Sequence, residues 1–173
     1  TETRLYVLNT LSDVIYQTTP LVSKELLIEI LQIVPELWEL ANNDTSESIL
    51  ANALLRLLRY LVISLGKYSH ATWEISLPIV QIACDPSSPH YSLLYEDGFE
   101  LWQSLLQNFS SEERKLDDKL VQIIPFLEYA VQHQTEILPT LLEIMKSYTL
   151  ILSREGFFAC EEFSRISVHL SKF

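Results

Sequence analysis

Val34-Pro35-Glu36-Leu37, Leu77-Pro78-Ile79-Val80 and Ile124-Pro125-Phe126-Leu127 are three versions of one tetrapeptide, a proline with an aliphatic residue just before it and another two positions after it. The prolines stand 43 and 47 residues apart, and Ala41, Ala83 and Ala130 follow them at nearly the same offset. Self-similarity at a fixed spacing marks a repeat architecture, and a period of about 40 to 47 residues is that of HEAT and armadillo helical hairpins. Leu138-Pro139-Thr140-Leu141 has a similar make-up but falls out of phase, so it is not counted.

Working outward from these sites, apolar residues three and four apart place helices on both sides. Leu5, Leu8, Leu11 and Ile15 form a first helical face, interrupted by Thr18, Thr19 and Pro20. Ser23 is the expected N-cap of a second helix with Leu26, Leu27, Ile30, Leu31 and Val34 on its buried side, and Pro35 is expected to kink or break it. After a turn at residues 42–45, Asp44 and Glu47 have the offset of a capping box and open a third helix. Its Leu50, Leu54, Leu57, Leu58, Leu61 and Leu65 share one face, and Gly66 is placed to end it.

A fourth helix is predicted over 72–83, followed by the loop cluster Asp85-Pro86-Ser87-Ser88-Pro89. Leu94, Gly98, Leu101, Trp102 and Leu105 mark a fifth, ending near Phe109, with Gly98 open to a close backbone approach. The Ser110-to-Glu113 offset and the acidic Asp117 and Asp118 precede a sixth helix carrying Leu120, Ile123, Ile124, Leu127 and Ala130. Beyond a polar turn at 132–135, Ile137, Leu141, Leu142, Ile144, Met145, Tyr148 and Ile151 supply a seventh. Phe157, Phe158, Phe163, Ile166 and Leu170 supply an eighth, after residues 153–156. Eight helices make four antiparallel pairs, so the expected fold is an all-α HEAT-repeat α-solenoid with approximate repeats 1–43, 44–86, 87–133 and 134–173.

One hairpin cannot bury its own apolar face, whereas stacked hairpins share a continuous core and present an extended concave surface to other proteins. The start at Thr1 without a methionine and the helical pattern running to Phe173 suggest a single segment of a longer solenoid, with repeats continuing on both sides.

Composition agrees with a folded helical chain: 173 residues are 48% hydrophobic and 20% charged, with 3 Gly and 7 Pro, too few for a turn-rich β fold. The longest stretch without a charged residue, Leu101 to Ser111, is short of the roughly 20 apolar residues of a membrane-spanning helix, and residues 1–20 have no secretory pattern. A net charge of −11 disfavours nucleic acid and anionic lipid and suits a basic partner, while also serving plain solubility.

Signals for catalysis are missing. His70, His90, His133 and His169 are scattered without metal-ligand spacing, and the three glycines are too far apart for a phosphate loop. Cys84 and Cys160 have no CxxC or Cys/His partner and read as reduced, packed thiols. Adjacent carboxylates at 96–97, 112–113, 117–118 and 161–162 point in different directions on a helix and read as helix-start and surface charges. No catalytic residue, metal site or cofactor is expected, and the chain is not expected to be an enzyme. Trp38, Trp73 and Trp102 read as packing between hairpins rather than as partner anchors. Glu36, Glu39 and Glu128, beside the prolines, are the candidate partner-binding residues, suited to Lys- or Arg-rich segments on the concave side or else simply solvated.

The stretch Leu77-Pro78-Ile79-Val80-Gln81-Ile82-Ala83-Cys84-Asp85, the prolines to Pro89, and above all Leu94-Tyr95-Glu96-Asp97-Gly98-Phe99-Glu100-Leu101-Trp102 resemble the importin-β (karyopherin-β) superfamily, specifically receptors of the importin eleven type. Pro35-Glu36-Leu37-Trp38 is similar to a further shared element. The resemblance implies a nuclear transport receptor that binds protein cargo, often basic, and passes nuclear pores by touching Phe-Gly nucleoporins. It also implies release under control of Ran-GTP and shuttling between cytoplasm and nucleus. The family's Ran contacts lie in N-terminal repeats that this stretch does not match, so Ran would act through repeats outside it. A HEAT scaffold of a phosphatase, kinase or other assembly, without Ran dependence, is the alternative that composition and periodicity leave open.

Overall fold

The computed structural model describes residues 2–19, 22–42, 48–109, 118–152 and 160–171. Among these the regular structure is helical throughout: α1 (Glu2–Thr18), α2 (Lys24–Gln32), α3 (Val34–Asn42), α4 (Ser48–Leu65), α5 (Trp73–Cys84), α6 (Tyr91–Gln107), α7 (Asp118–Gln122), α8 (Ile124–His133), α9 (Leu138–Ile151) and α10 (Glu161–Leu170). Two compact units follow one another, residues 1–109 and 110–173.

In the first unit α4 is the centre, packed on α1, α2, α3 and α6. All six of its expected leucines, 50, 54, 57, 58, 61 and 65, are buried. The Tyr16 and Tyr60 rings lie 5.0 Å apart and the hydroxyls of Thr19 and Ser64 2.5 Å apart, so contacts advance in the same direction along α1 and α4. Asn52 donates to the Leu93 carbonyl at 3.1 Å and Arg59 pairs with Glu100, which does the same for α4 and α6. Three parallel helices therefore lie side by side at sequence offsets of 44 to 45 and then 41 residues, the stacking that a hairpin repeat of HEAT length produces.

Helix α5 runs antiparallel to α6: Gly98 meets Ala83 and Cys84 near the end of α5, and the Phe109 ring stacks on Trp73 at its start, centroids 5.6 Å apart. A Cβ on Gly98 would stand 2.8 Å from the Ala83 Cβ and 3.1 Å from the Cys84 sulfur, so the expected close approach is real and its other half is the repeat alanine. Trp38, Trp73 and Trp102 are all buried, the packing role expected of them.

The run Ser48–Cys84 is long and apolar enough to cross a membrane by length and composition alone. It is not one straight helix. Gly66, at φ +52°, turns the chain out of α4, and a 3-10 segment, Gly66–Thr72, leads into α5. That 3-10 segment has no counterpart in the sequence reading, which left a gap between Gly66 and Thr72.

Local signals account for several boundaries. Ser23 caps α2, its hydroxyl oxygen accepting from the Leu26 amide at 3.2 Å. The second and sixth expected helices are each split by one residue, Ile33 and Ile123, two positions before the proline. Leu26 is a correction: the sequence reading placed it on the buried side, but it is 48% exposed, while Leu27, Leu31 and Val34 are buried. Leu142 of the seventh helix is likewise exposed. The expected capping box at Asp44 and Glu47, the Ser110-to-Glu113 offset, Asp117, Phe157 and Phe158 lie outside the described residues.

The second unit is organised by Tyr148 on α9. Its hydroxyl donates to the Leu120 carbonyl of α7 at 2.5 Å, and its ring tilts against Phe163 of α10 with centroids 5.5 Å apart. Helix α8, with Ile124, Leu127, Ala130 and Val131 buried, packs on α9 and α10.

Candidate protein-interaction surfaces

Among the described residues no cluster of three His, Cys, Asp or Glu side chains is placed to hold a metal. Cys84 is buried, which pushes its thiol well above the ordinary range and leaves it unreactive. What the fold presents instead is three helix surfaces bearing charge.

Glu36 and Glu39 stand three residues apart on α3, both exposed, with Glu36 in the first turn where a carboxylate faces the positive end of the helix dipole. They flank exposed aliphatic positions, Ile33 and Leu40. In the same unit a polar seam joins α4 to α6. Asn52, Arg56 and Arg59 on α4 meet the Leu93 carbonyl, Asp97 and Glu100 on α6. Burial raises the carboxyl of Asp97, with Arg56 pulling the other way and Glu100 adding to the rise. A cavity of about 260 Å³ opens beside this seam, lined among others by Asn9, Asn52, Arg56 and Asp97.

Glu128 belongs to the second unit and is treated differently by the fold. It is engaged by Arg165 of α10, whose Nε donates to one carboxylate oxygen at 2.8 Å and whose terminal nitrogen donates to the other at 2.9 Å. Arg165 also reaches Glu161 at 3.3 Å and lies 3.5 Å from Glu162. The pair with Glu128 is the largest reason that the Arg165 guanidinium is held above its ordinary range. Glu162 is drawn below the usual carboxylate range, first by the Cys160 thiol that donates to it at 3.0 Å. That thiol is itself pushed up, first by burial and then by the same hydrogen bond. A groove of about 330 Å³ between α8 and α10 is lined by Glu128, Gln132, Ser164, Arg165, Val168 and His169.

The three sequence candidates are thus divided, two on α3 and one in the α8–α10 groove. Sequence reasoning missed Arg165 and took Glu161 and Glu162 for ordinary surface charge. The only available signal was the three- and four-residue spacing of these glutamates from Arg165, since the Glu128 contact bridges 37 residues.

Parallel helices stacked side by side at HEAT-length offsets define a helical-repeat protein of the HEAT class. The chain belongs to the importin-11-like family: the family model described as importin-11-like, TPR repeats, matches residues 52–173. The offsets of 41 to 45 residues are longer than the roughly 34 of a TPR unit and are those of HEAT repeats. The chain is 63% identical over 173 residues to importin beta-like protein KAP120 of Saccharomyces cerevisiae, a match covering 100% of this chain and 17% of that relative. It is 30% identical over 158 residues to human importin-11, covering 89% of this chain and 15% of that relative. It is 25% identical over 122 residues to importin beta-like protein kap113 of Schizosaccharomyces pombe, covering 70% and 12%. The chain therefore spans about a sixth of the length of the first two relatives. No solved structure matches it.

Proposed function

We propose that this chain is a segment of a nuclear transport receptor that binds protein cargo and carries it through the nuclear pore under control of Ran-GTP. The observation that supports this most strongly is the 63% identity, across all 173 residues, to a protein named as importin beta-like. The parallel stacking of α1, α4 and α6 supports it physically, because stacked hairpins change curvature through small adjustments at each seam and so can couple one partner to another.

In this reading the segment is not an enzyme and the protein moves between cytoplasm and nucleus. The repeats divide near 1–43, 44–86, 87–133 and 134–173. Glu36, Glu39 and Glu128 face basic cargo, Phe-Gly nucleoporins touch the receptor during passage, and Ran-GTP acts through repeats outside this segment. The test uses the intact receptor to capture basic nuclear proteins from extract, with and without excess GTP-locked Ran. Cargo released by Ran-GTP is the expected result. Partners retained regardless of Ran would replace the transport reading with that of a static scaffold.

A further inference from the structure

The guanidinium of Arg165 rests in a cradle of carboxylates. Its two-pronged bond to Glu128, at 2.8 and 2.9 Å, is the geometry in which a planar guanidinium matches a carboxylate and an ammonium does not. Glu161 and Glu162 approach the same group at 3.3 and 3.5 Å, so three carboxylates share one cation. The Glu128 side chain is only 19% exposed, whereas Arg165 is 49% exposed, so the acceptor is fixed in the groove wall while the donor can swing outward. Directly beside them the 330 Å³ groove offers an apolar side, Val168, which is 60% exposed, and a polar one, Gln132.

We propose that the α8–α10 groove receives an arginine side chain from an extended segment of a partner protein, and that Arg165 is the built-in competitor for its place. Without a partner, Arg165 occupies Glu128. An incoming arginine lies along Val168, takes over the two-pronged bond, and Arg165 remains compensated by Glu161 and Glu162 on its own helix. Charge complementarity selects this occupant: the cradle sets three carboxylates around one cation, and the group they hold is a guanidinium, that of Arg165. This rests on the reading of the chain as a protein-binding segment and adds to it a preference for arginine over lysine together with a self-limiting contact.

The test measures binding of blocked hexa-arginine and hexa-lysine peptides to the intact receptor at low and moderate salt, with no Ran and no extract. Arg165→Gln is expected to tighten hexa-arginine binding by about 5-fold and hexa-lysine binding by less than about 2-fold, since only the guanidinium regains a two-pronged acceptor. Glu128→Gln is expected to abolish the gain in the double variant. Should Arg165→Gln loosen α10, Arg165→Lys retains the charge that holds α10 to α8 and is expected to show the same preference at smaller amplitude. Unchanged or weaker hexa-arginine binding in a folded Arg165 variant, or equal gains for both peptides, overturns the proposal. Because Ran-sensitive cargo capture is read separately, its persistence alongside such a result would remove this groove and leave the transport reading standing.

Discussion

The same proline tetrapeptide breaks two helices and leaves a third whole. Helix α2 ends at Gln32 and α3 starts at Val34, α7 ends at Gln122 and α8 starts at Ile124, yet α5 runs unbroken from Trp73 to Cys84 through Pro78. In the two broken cases the proline becomes the second residue of a new helix, where its missing N–H would have had no partner in any case. In α5 it is an interior residue that denies the Glu74 carbonyl its bond. Pro78 and Glu74 are both exposed, so water can take that carbonyl. The other half of α5 is pressed on α6 across Gly98. We attribute the continuity of α5 to that clamp: what a proline does to a helix here is decided by the helix packed against it.

The comparison breaks most visibly at Gly98. A leucine there drives a Cβ into Ala83 and Cys84 and forces α5 off α6. The expected loss is about 3 kcal/mol, roughly a 10 °C fall in Tm, accompanied by a drop in helix content as α5 breaks like its counterparts. Alanine at the same place costs about 1 kcal/mol, the overlap outweighing the gain in helix propensity. An unchanged Tm would mean that the seam has slack and that α5 is continuous for another reason.

Substituting the prolines sharpens the contrast, because the sign is expected to differ. Pro78→Ala restores a donor to Glu74 and is expected to stabilise by about 1 kcal/mol, most of the interior proline penalty having been relieved by solvation. Pro35→Ala and Pro125→Ala restore nothing and release the unfolded chain, so each is expected to destabilise by about 0.5 kcal/mol. Urea midpoints at constant m-value read all three. The short helix ahead of the first break also depends on its cap: Ser23→Ala is expected to cost about 1 kcal/mol, lowering the urea midpoint.

These contrasts mark where sequence reading reaches and where it stops. The leucines of α4, the Ser23 cap, the Gly66 exit and the Gly98 contact were all legible, because each is a consequence of helix periodicity or of one residue's own backbone freedom. Leu26 was misplaced because it stands one residue, about 100° around the helix, from buried Leu27, and which flank is covered depends on the neighbour, not on the period. The one-residue breaks at Ile33 and Ile123 were half legible: proline announces a disturbance, but its position is settled by packing. The Arg165 cradle was invisible, since pairing with Glu128 depends on the rotation of two helices about their own axes. Glu36, Glu39 and Glu128 were found by their place beside the prolines, which says where they stand and not what they touch.

The smallest expected effect separates the two charged seams by the sign of their pH dependence. Burial raises Asp97 above the unfolded carboxylate value, so the folded α4–α6 seam binds its proton more tightly than the unfolded chain does. Its favourable contribution is complete below the unfolded value and disappears as pH rises through the folded one, which makes the ionised Asp97 a net cost at neutral pH. Asp97→Asn is therefore expected to raise Tm at pH 7 by roughly 2 °C, with the difference from the parent chain closing as the pH is lowered into the carboxylate range. Glu162 in the α8–α10 seam runs the other way. Its folded value is lowered, first by the Cys160 thiol, so its contribution is present above the unfolded value and is lost as pH falls through the folded one. Glu162→Gln is expected to lower Tm slightly at pH 7 and to match the parent chain in acid. Thermal scans of both variants from pH 3 to pH 7 would show lines of opposite slope, and slopes of the same sign would mean that Asp97 is better solvated than its burial between α4 and α6 implies.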